Sequence, residues 1–170
     1  MERETALADF DRSRDAFLDA LRAAPDDALA YLREGDIYAI GGLAVHCNWV
    51  LRHYSRVLLA LAAGGGTELH PSDPEGEQEE ANRRARSGLT AEERAPELAE
   101  LETLHQEVRR AAAAVPPDSW EHKTPVLYGS DAQAYPTSPG DVVGWLRDHY
   151  QEHVPHATEL LAEWRSSRDR

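Results

Sequence analysis

Apolar residues recur along the start of the chain with the period of a helix. Leu7, Phe10, Phe17 and Leu21 share one stripe with Asp, Glu and Arg opposite, which predicts a first helix over 2–23, ended near Pro25. A short helical turn is expected over 26–33. Gly35-Asp36 then breaks the pattern and offers an N-cap, and 37–63 runs without proline to Gly64-Gly-Gly66, giving the longest and most apolar helix. A 4-3 spacing there selects Ala39, Leu43, His46, Val50, His53, Val57 and Leu61 as the buried stripe and leaves Asn48, Arg52 and Ser55 off it. The segment 67–88 carries Pro71, Pro74 and dense charge and reads as a long solvated loop with a weak helix over 77–86. Thr90-Ala-Glu-Glu93 is a capping box that starts a third helix, which runs to about Val115 and is closed by Pro116-Pro117. No helical period exists over 118–137, an irregular segment or a short hairpin. Ser138-Pro-Gly-Asp141 starts a fourth helix that continues to about Arg165.

Four long amphipathic helices with three breaks predict an all-α fold, a four-helix bundle with a long loop after its second helix and an irregular segment before its fourth. A length of 170 residues suits one domain over 1–170, and there is no internal repeat and no βαβ alternation. With 41% hydrophobic but only 7% aromatic residues, the core is expected to consist mostly of Ala, Leu and Val. A net charge of −13 repels phosphate backbones and anionic lipid, so neither nucleic acid nor a membrane is an expected partner. No apolar run reaches the length of a membrane span and Met1-Glu-Arg-Glu-Thr5 has no signal-peptide character, so the expected location is cytoplasmic. Cys47 is the only cysteine, which rules out a disulfide within the chain.

The candidate chemistry lies in the histidines. His149 and His153 stand four residues apart on one face of the fourth helix, the spacing at which two imidazoles can share one cation. The buried stripe of that helix reads Val142, Leu146, His149, His153, His156 and Leu160, and that of the third reads Leu98, Leu101, His105, Val108, Ala112 and Val115. At least five of the 8 His therefore face the bundle interior, where each unpaired ring costs about 1–3 kcal/mol. Metal coordination satisfies several at once, whereas the bland alternative has each ring packed separately against a carboxylate or water.

Other residues qualify this picture. Cys47 follows His46 but points about 100° away around the helix, as a small buried filler would. His53 and His156, each further along its stripe, are candidates for a supporting pair, for pocket-lining proton carriers or for packing. His105 approaches from the third helix. Asp148, Glu152 and Glu159 are candidate acceptors for the N–H groups of ligand rings, or else solvated helix carboxylates. Pro155 removes a hydrogen bond to Gln151 and either kinks the helix or is tolerated. Trp120, Tyr128 and Tyr135 either cover the mouth of the site or pack under a loop.

Gly42-Leu-Ala-Val-His46, followed by the Pro125-Val-Leu-Tyr-Gly-Ser130 segment and by His149-Tyr-Gln-Glu-His153, resembles the DinB/YfiT-like superfamily of bacterial helical bundles over most of the chain. The resemblance implies an up-down-down-up helix order and a divalent metal, zinc or nickel, held by His46, His149 and His153 with positions open to water or a substrate sulfur. It also implies kinship with mycothiol- and bacillithiol-dependent enzymes, although the mycothiol isomerase branch has Glu where this chain has His149. The function so implied is a metal-dependent thiol S-transferase that detoxifies reactive small electrophiles, with a low-molecular-weight thiol as cosubstrate. Its alternatives are a hydrolase activating water at the same three-His site and a non-enzymatic protein that binds or sequesters small molecules. The catalytic group would be a metal-held water or thiol, and a homodimer is a further implication.

Overall fold

In a computed structural model of the chain, which describes residues 2–64, 68–129 and 131–168, the first stripe forms α1 (Arg3–Arg22) with Leu7, Phe10, Phe17 and Leu21 buried. The other helices are α2 (Gly42–Ala63), α3 (Glu77–Ser87), α4 (Ala91–Ala114) and α5 (Pro139–Arg168), and a two-stranded hairpin of β1 (Thr124–Val126) and β2 (Tyr135–Thr137) precedes α5. Thr90 caps α4 in the expected box: its hydroxyl accepts from the Glu93 N–H at 3.3 Å, and the Glu93 carboxylate accepts from the Thr90 N–H at 2.8 Å. Ser138 and Asp141 reproduce that reciprocity at the start of α5. The weak helix of the long loop is real and forms α3.

Contacts between the helices give their directions. Arg3 meets Val115, and Arg22 meets Glu102, so α1 and α4 are antiparallel. Asn48 meets Glu97 and Arg52 meets Glu100, so α2 and α4 run the same way. Phe10 packs on Tyr150 and Phe17 on His153, which makes α1 and α5 parallel, while α5 opposes α2. The order is up-down-down-up, with α5 set between α1 and α2.

The second helix begins five residues later than its apolar pattern predicts, and Asp36 is not its N-cap. The stretch before Gly42 is pinned in a non-helical path because its N–H groups find tertiary acceptors: Ala39 donates to Ala85 (3.0 Å), Ile40 to Tyr31 (3.0 Å) and Gly41 to Leu29 (2.8 Å). First-turn N–H groups of a helix have no acceptor within it, so such partners favour the irregular path. Asn48, expected off the buried stripe, is fully buried. Helix α3 covers that second face of α2, and Asn48 Nδ2 donates to the Glu97 carboxylate (2.8 Å), which also accepts from Arg84 of α3 (2.7 Å). Nearly the whole circumference of the first half of α2 is therefore inside.

Two glycines permit this close approach. A Cβ on Gly42 would fall 1.7 Å from the Ala85 carbonyl oxygen, and Gly88, at φ +75°, ends α3 where a Cβ would meet the Leu29 carbonyl at 2.4 Å. Gly144 in α5 has nothing within 4 Å of such a Cβ. Gly42→Ala is thus expected to lower stability by about 1–3 kcal/mol through overpacking. Gly144→Ala is expected to be neutral or to gain up to roughly 1 kcal/mol from helix propensity. Urea denaturation of the two variants beside the wild type checks this, and equal midpoints for the two would contradict it.

Candidate metal centre

The antiparallel seam of α2 and α5 brings His46, His149 and His153 together. One nitrogen from each ring lies within 4.8 Å of the others, and the ring centroids are 4.9 Å (His46–His149), 5.3 Å (His46–His153) and 4.6 Å (His149–His153) apart. Metal–nitrogen bonds of about 2.0–2.1 Å allow ligand nitrogens on one ion to be at most about 4.2 Å apart, so small side-chain rotations close the set. The Nε2 atoms of His149 and His153 are buried without a hydrogen-bond partner among the described residues. Two orphaned imidazole nitrogens aimed at a third ring fit a divalent cation, and a set of three nitrogen donors suits zinc, nickel or copper better than magnesium or calcium.

Burial sets the charge state. Desolvation, reinforced by mutual repulsion among the rings, holds the pKa of His46 and of His153 down to about 3. The pKa of His149 is lowered for the first of these reasons, with Glu152 pulling slightly the other way. All three rings are therefore neutral at pH 7 and have lone pairs to offer.

The supporting carboxylate is Asp36, which the sequence pattern assigned to a helix cap. Its Oδ2 accepts from His156 Nε2 at 2.8 Å, and His156 Nδ1 lies 3.4 Å from His153 Nδ1. A carboxylate only accepts, so His156 carries a proton on Nε2; where its Nδ1 accepts the Nδ1–H of His153, the Nε2 lone pair of His153 is left for the triad. Burial would raise the Asp36 pKa, but hydrogen bonds from His156 and the Ile37 N–H outweigh it and hold the carboxyl below its usual range. No local signal marks Asp36, because its partner is 120 residues away. Tyr38 was missed with it: its ring stacks on His46 at 4.2 Å and meets His153 edge-on at 5.9 Å.

The remaining candidates separate. His53 and His156 do not pair, because His53 lies two turns past His46 and His156 one turn past His153 on antiparallel helices, which carries them to opposite sides of the triad. His53 instead bonds Asp73 through Nδ1 at 2.8 Å and stacks on Trp49. His105 is fully buried but faces α1, with Nε2 on Asp11 at 2.9 Å and its ring on Phe10 at 3.9 Å. Asp148 pairs with neighbouring Arg147, while Glu152 and Glu159 are exposed on the margin of a cleft beside His153. None of these three carboxylates takes the supporting place, because helical spacing turns them outward from the seam. Cys47 is fully buried. Helix α5 passes unbroken through Pro155, which lines the cleft. Trp120 is no cover for the site: it packs under the first turn of α5, where its carbonyl accepts from Gly140.

An inward-facing set of neutral imidazoles on facing helices could hold a metal ion, in the manner of bundles whose ligands project from helices into the core. The chain belongs to the DinB superfamily, whose family model matches residues 9–157. No curated protein matches it. No helix of the described residues is long and apolar enough to cross a membrane.

The neutral rings dictate the acid response of the metal-free protein. His46 and His153 titrate near pH 3 and His105, lowered chiefly by burial, near pH 4, whereas the unfolded chain binds these protons at about pH 6.5. Unfolding therefore takes up protons between these values, and stability is expected to fall as pH drops from 6.5 toward 4, by on the order of 3 kcal/mol for each ring held neutral. The bonded carboxylates Asp11, Asp36 and Asp141 have pKa values below 3.8 and add to the loss only at lower pH. Urea midpoints measured from pH 7 to 4 test this, and a flat profile would show that the rings are not held neutral.

Proposed function

We propose that this member of the DinB superfamily is a divalent-metal-dependent enzyme that transfers a low-molecular-weight thiol to small reactive electrophiles, with His46, His149 and His153 as the ligands of zinc or nickel. The observation that carries the reading is the convergence of three buried, neutral imidazoles, two with an unpartnered Nε2, at one point between α2 and α5. Three protein ligands leave room for an exogenous one, the form of a catalytic rather than a structural site. A bound ion supplies Lewis acidity, bringing the ionisation of a thiol or water near neutral pH.

The chain's own residues do the rest. Asp36 and His156 fix the tautomer and the ring plane of His153. Tyr38 and Phe17 pack on the triad and exclude water from that side. A cleft of about 610 Å³ bordered by Asp36, His153, Pro155 and His156 admits a small molecule, and Glu34, Glu152 and Glu159 give it an acidic margin. Arg33 at the same margin is already held by Asp36 and Glu163. This charge balance favours an uncharged thiol, as expected of mycothiol, over one that carries free carboxylates.

Protein purified without a His tag is expected to hold stoichiometric zinc or nickel by elemental analysis, and His149→Ala to lose it. With the metal loaded, a panel of thiols and monochlorobimane should give a fluorescent adduct with the wild type and none with the variant. Failure to take up either metal sinks the reading, and metal uptake with hydrolysis of ester substrates but no adduct would reassign the site to water activation. Asp36→Asn is expected to stay folded and weaken zinc affinity roughly 10–100-fold, measured by chelator competition, because His153 loses its fixed orientation.

A further inference from the structure

Four aromatic rings from separate segments surround a surface pocket that the histidine site does not use. Tyr54 comes from α2, Trp145 from α5, Tyr128 from just beyond β1 and Tyr135 from β2, and with Asp131 they line an open cavity of about 400 Å³. Ring centroids are 5.9 Å apart for Tyr54–Trp145, 6.5 Å for Tyr128–Trp145, 6.4 Å for Tyr54–Tyr128 and 6.0 Å for Tyr135–Trp145, at interplanar angles of 52–70°. No pair is stacked, so ring faces stay free to meet a ligand. Tyr128 is fixed by a hydrogen bond between its hydroxyl and Thr137 Oγ1 at 3.0 Å, and Tyr135 is left 58% exposed.

We propose that this pocket is a binding site for a small organic cation bearing a quaternary or alkylated ammonium group, seated against the ring faces with Asp131 as its counter-charge. The negative faces of aromatic rings attract such groups, which need faces rather than hydrogen-bond acceptors. None of the lining residues is cationic, and no Lys or Arg of the described residues pairs with Asp131, so no internal cation occupies the place. The net charge of −13 adds a long-range attraction for cations. A neutral aromatic ligand is the competing occupant; it would use the rings and leave the carboxylate idle. The pocket lies on the α2–α5 seam, with Trp145 one helical turn before His149, but the binding rests on the rings and Asp131 and needs no metal.

The test is calorimetric titration of the full chain, stripped of metal with chelator, using choline and its uncharged isostere 3,3-dimethyl-1-butanol. Choline is expected to saturate the protein and to bind about tenfold or more tightly than the isostere. Tyr135→Ala and Asp131→Asn are each expected to weaken choline about three- to tenfold without changing the circular dichroism spectrum or the thermal midpoint, and Tyr135→Phe to restore binding. No saturable binding, equal affinity for the two probes, or choline binding indifferent to both variants would overturn the proposal. Because metal is absent throughout, none of these results depends on the three-histidine reading.

Discussion

The antiparallel packing of α2 against α5 is the constraint on which the rest of the molecule turns. It places His46 and Tyr54 opposite the His149–His153 pair and Trp145, while Tyr38, just ahead of α2, faces His156. Antiparallel pairing reverses the order of positions along the facing strip. Residues equally spaced from the triad on the two helices therefore diverge, so the polar rings form one dense cluster with different surroundings at each end. At one end the rings back onto Asp36 and an acidic cleft, and at the other they give way to an aromatic pocket.

The segment ahead of α2 gives the triad its surroundings. Its backbone donors are bonded to Leu29, Tyr31 and Ala85, so its path is as firmly set as that of a helix while its side chains are free to point across the bundle. The same stretch delivers Tyr38 onto His46 and Asp36 onto His156. Gly42 allows α3 to press against this junction, and the buried Asn48–Glu97–Arg84 network joins α2, α4 and α3 just beyond it. This buried network ties the three helices together through Asn48 Nδ2 and the Glu97 carboxylate, with Asn48 Oδ1 left without a partner among the described residues.

The histidines show three answers to one energetic problem. A buried imidazole needs a partner, and His105 finds Asp11 while His53 finds Asp73. His46, His149 and His153 cluster with one another instead, and Nε2 of both His149 and His153 has no partner among the described residues. That difference, more than the number of inward histidines, separates a candidate metal centre from ordinary packing in this member of the DinB superfamily. Their convergence is held by the packing of α2 against α5 and leaves Nε2 of both His149 and His153 without a partner among the described residues.

Helix spans, the capping box at Thr90, the break before α5 and the two-histidine face of α5 were legible in the residues, because each depends on interactions within a few positions of one chain segment. The inward direction of His46, His105 and His153 was legible too, since an apolar stripe has to be buried. That His46, His149 and His153 would meet was implied by the family resemblance and not by periodicity, whereas which histidines would find acids, and that Asn48 would lie inside, were decided only by tertiary structure. The start of α2 at Gly42, the role of Asp36 and the assembly of the four-ring pocket belong with them. Each depends on groups tens of residues or more apart, and periodicity says which face of a helix is buried without saying which neighbour buries it.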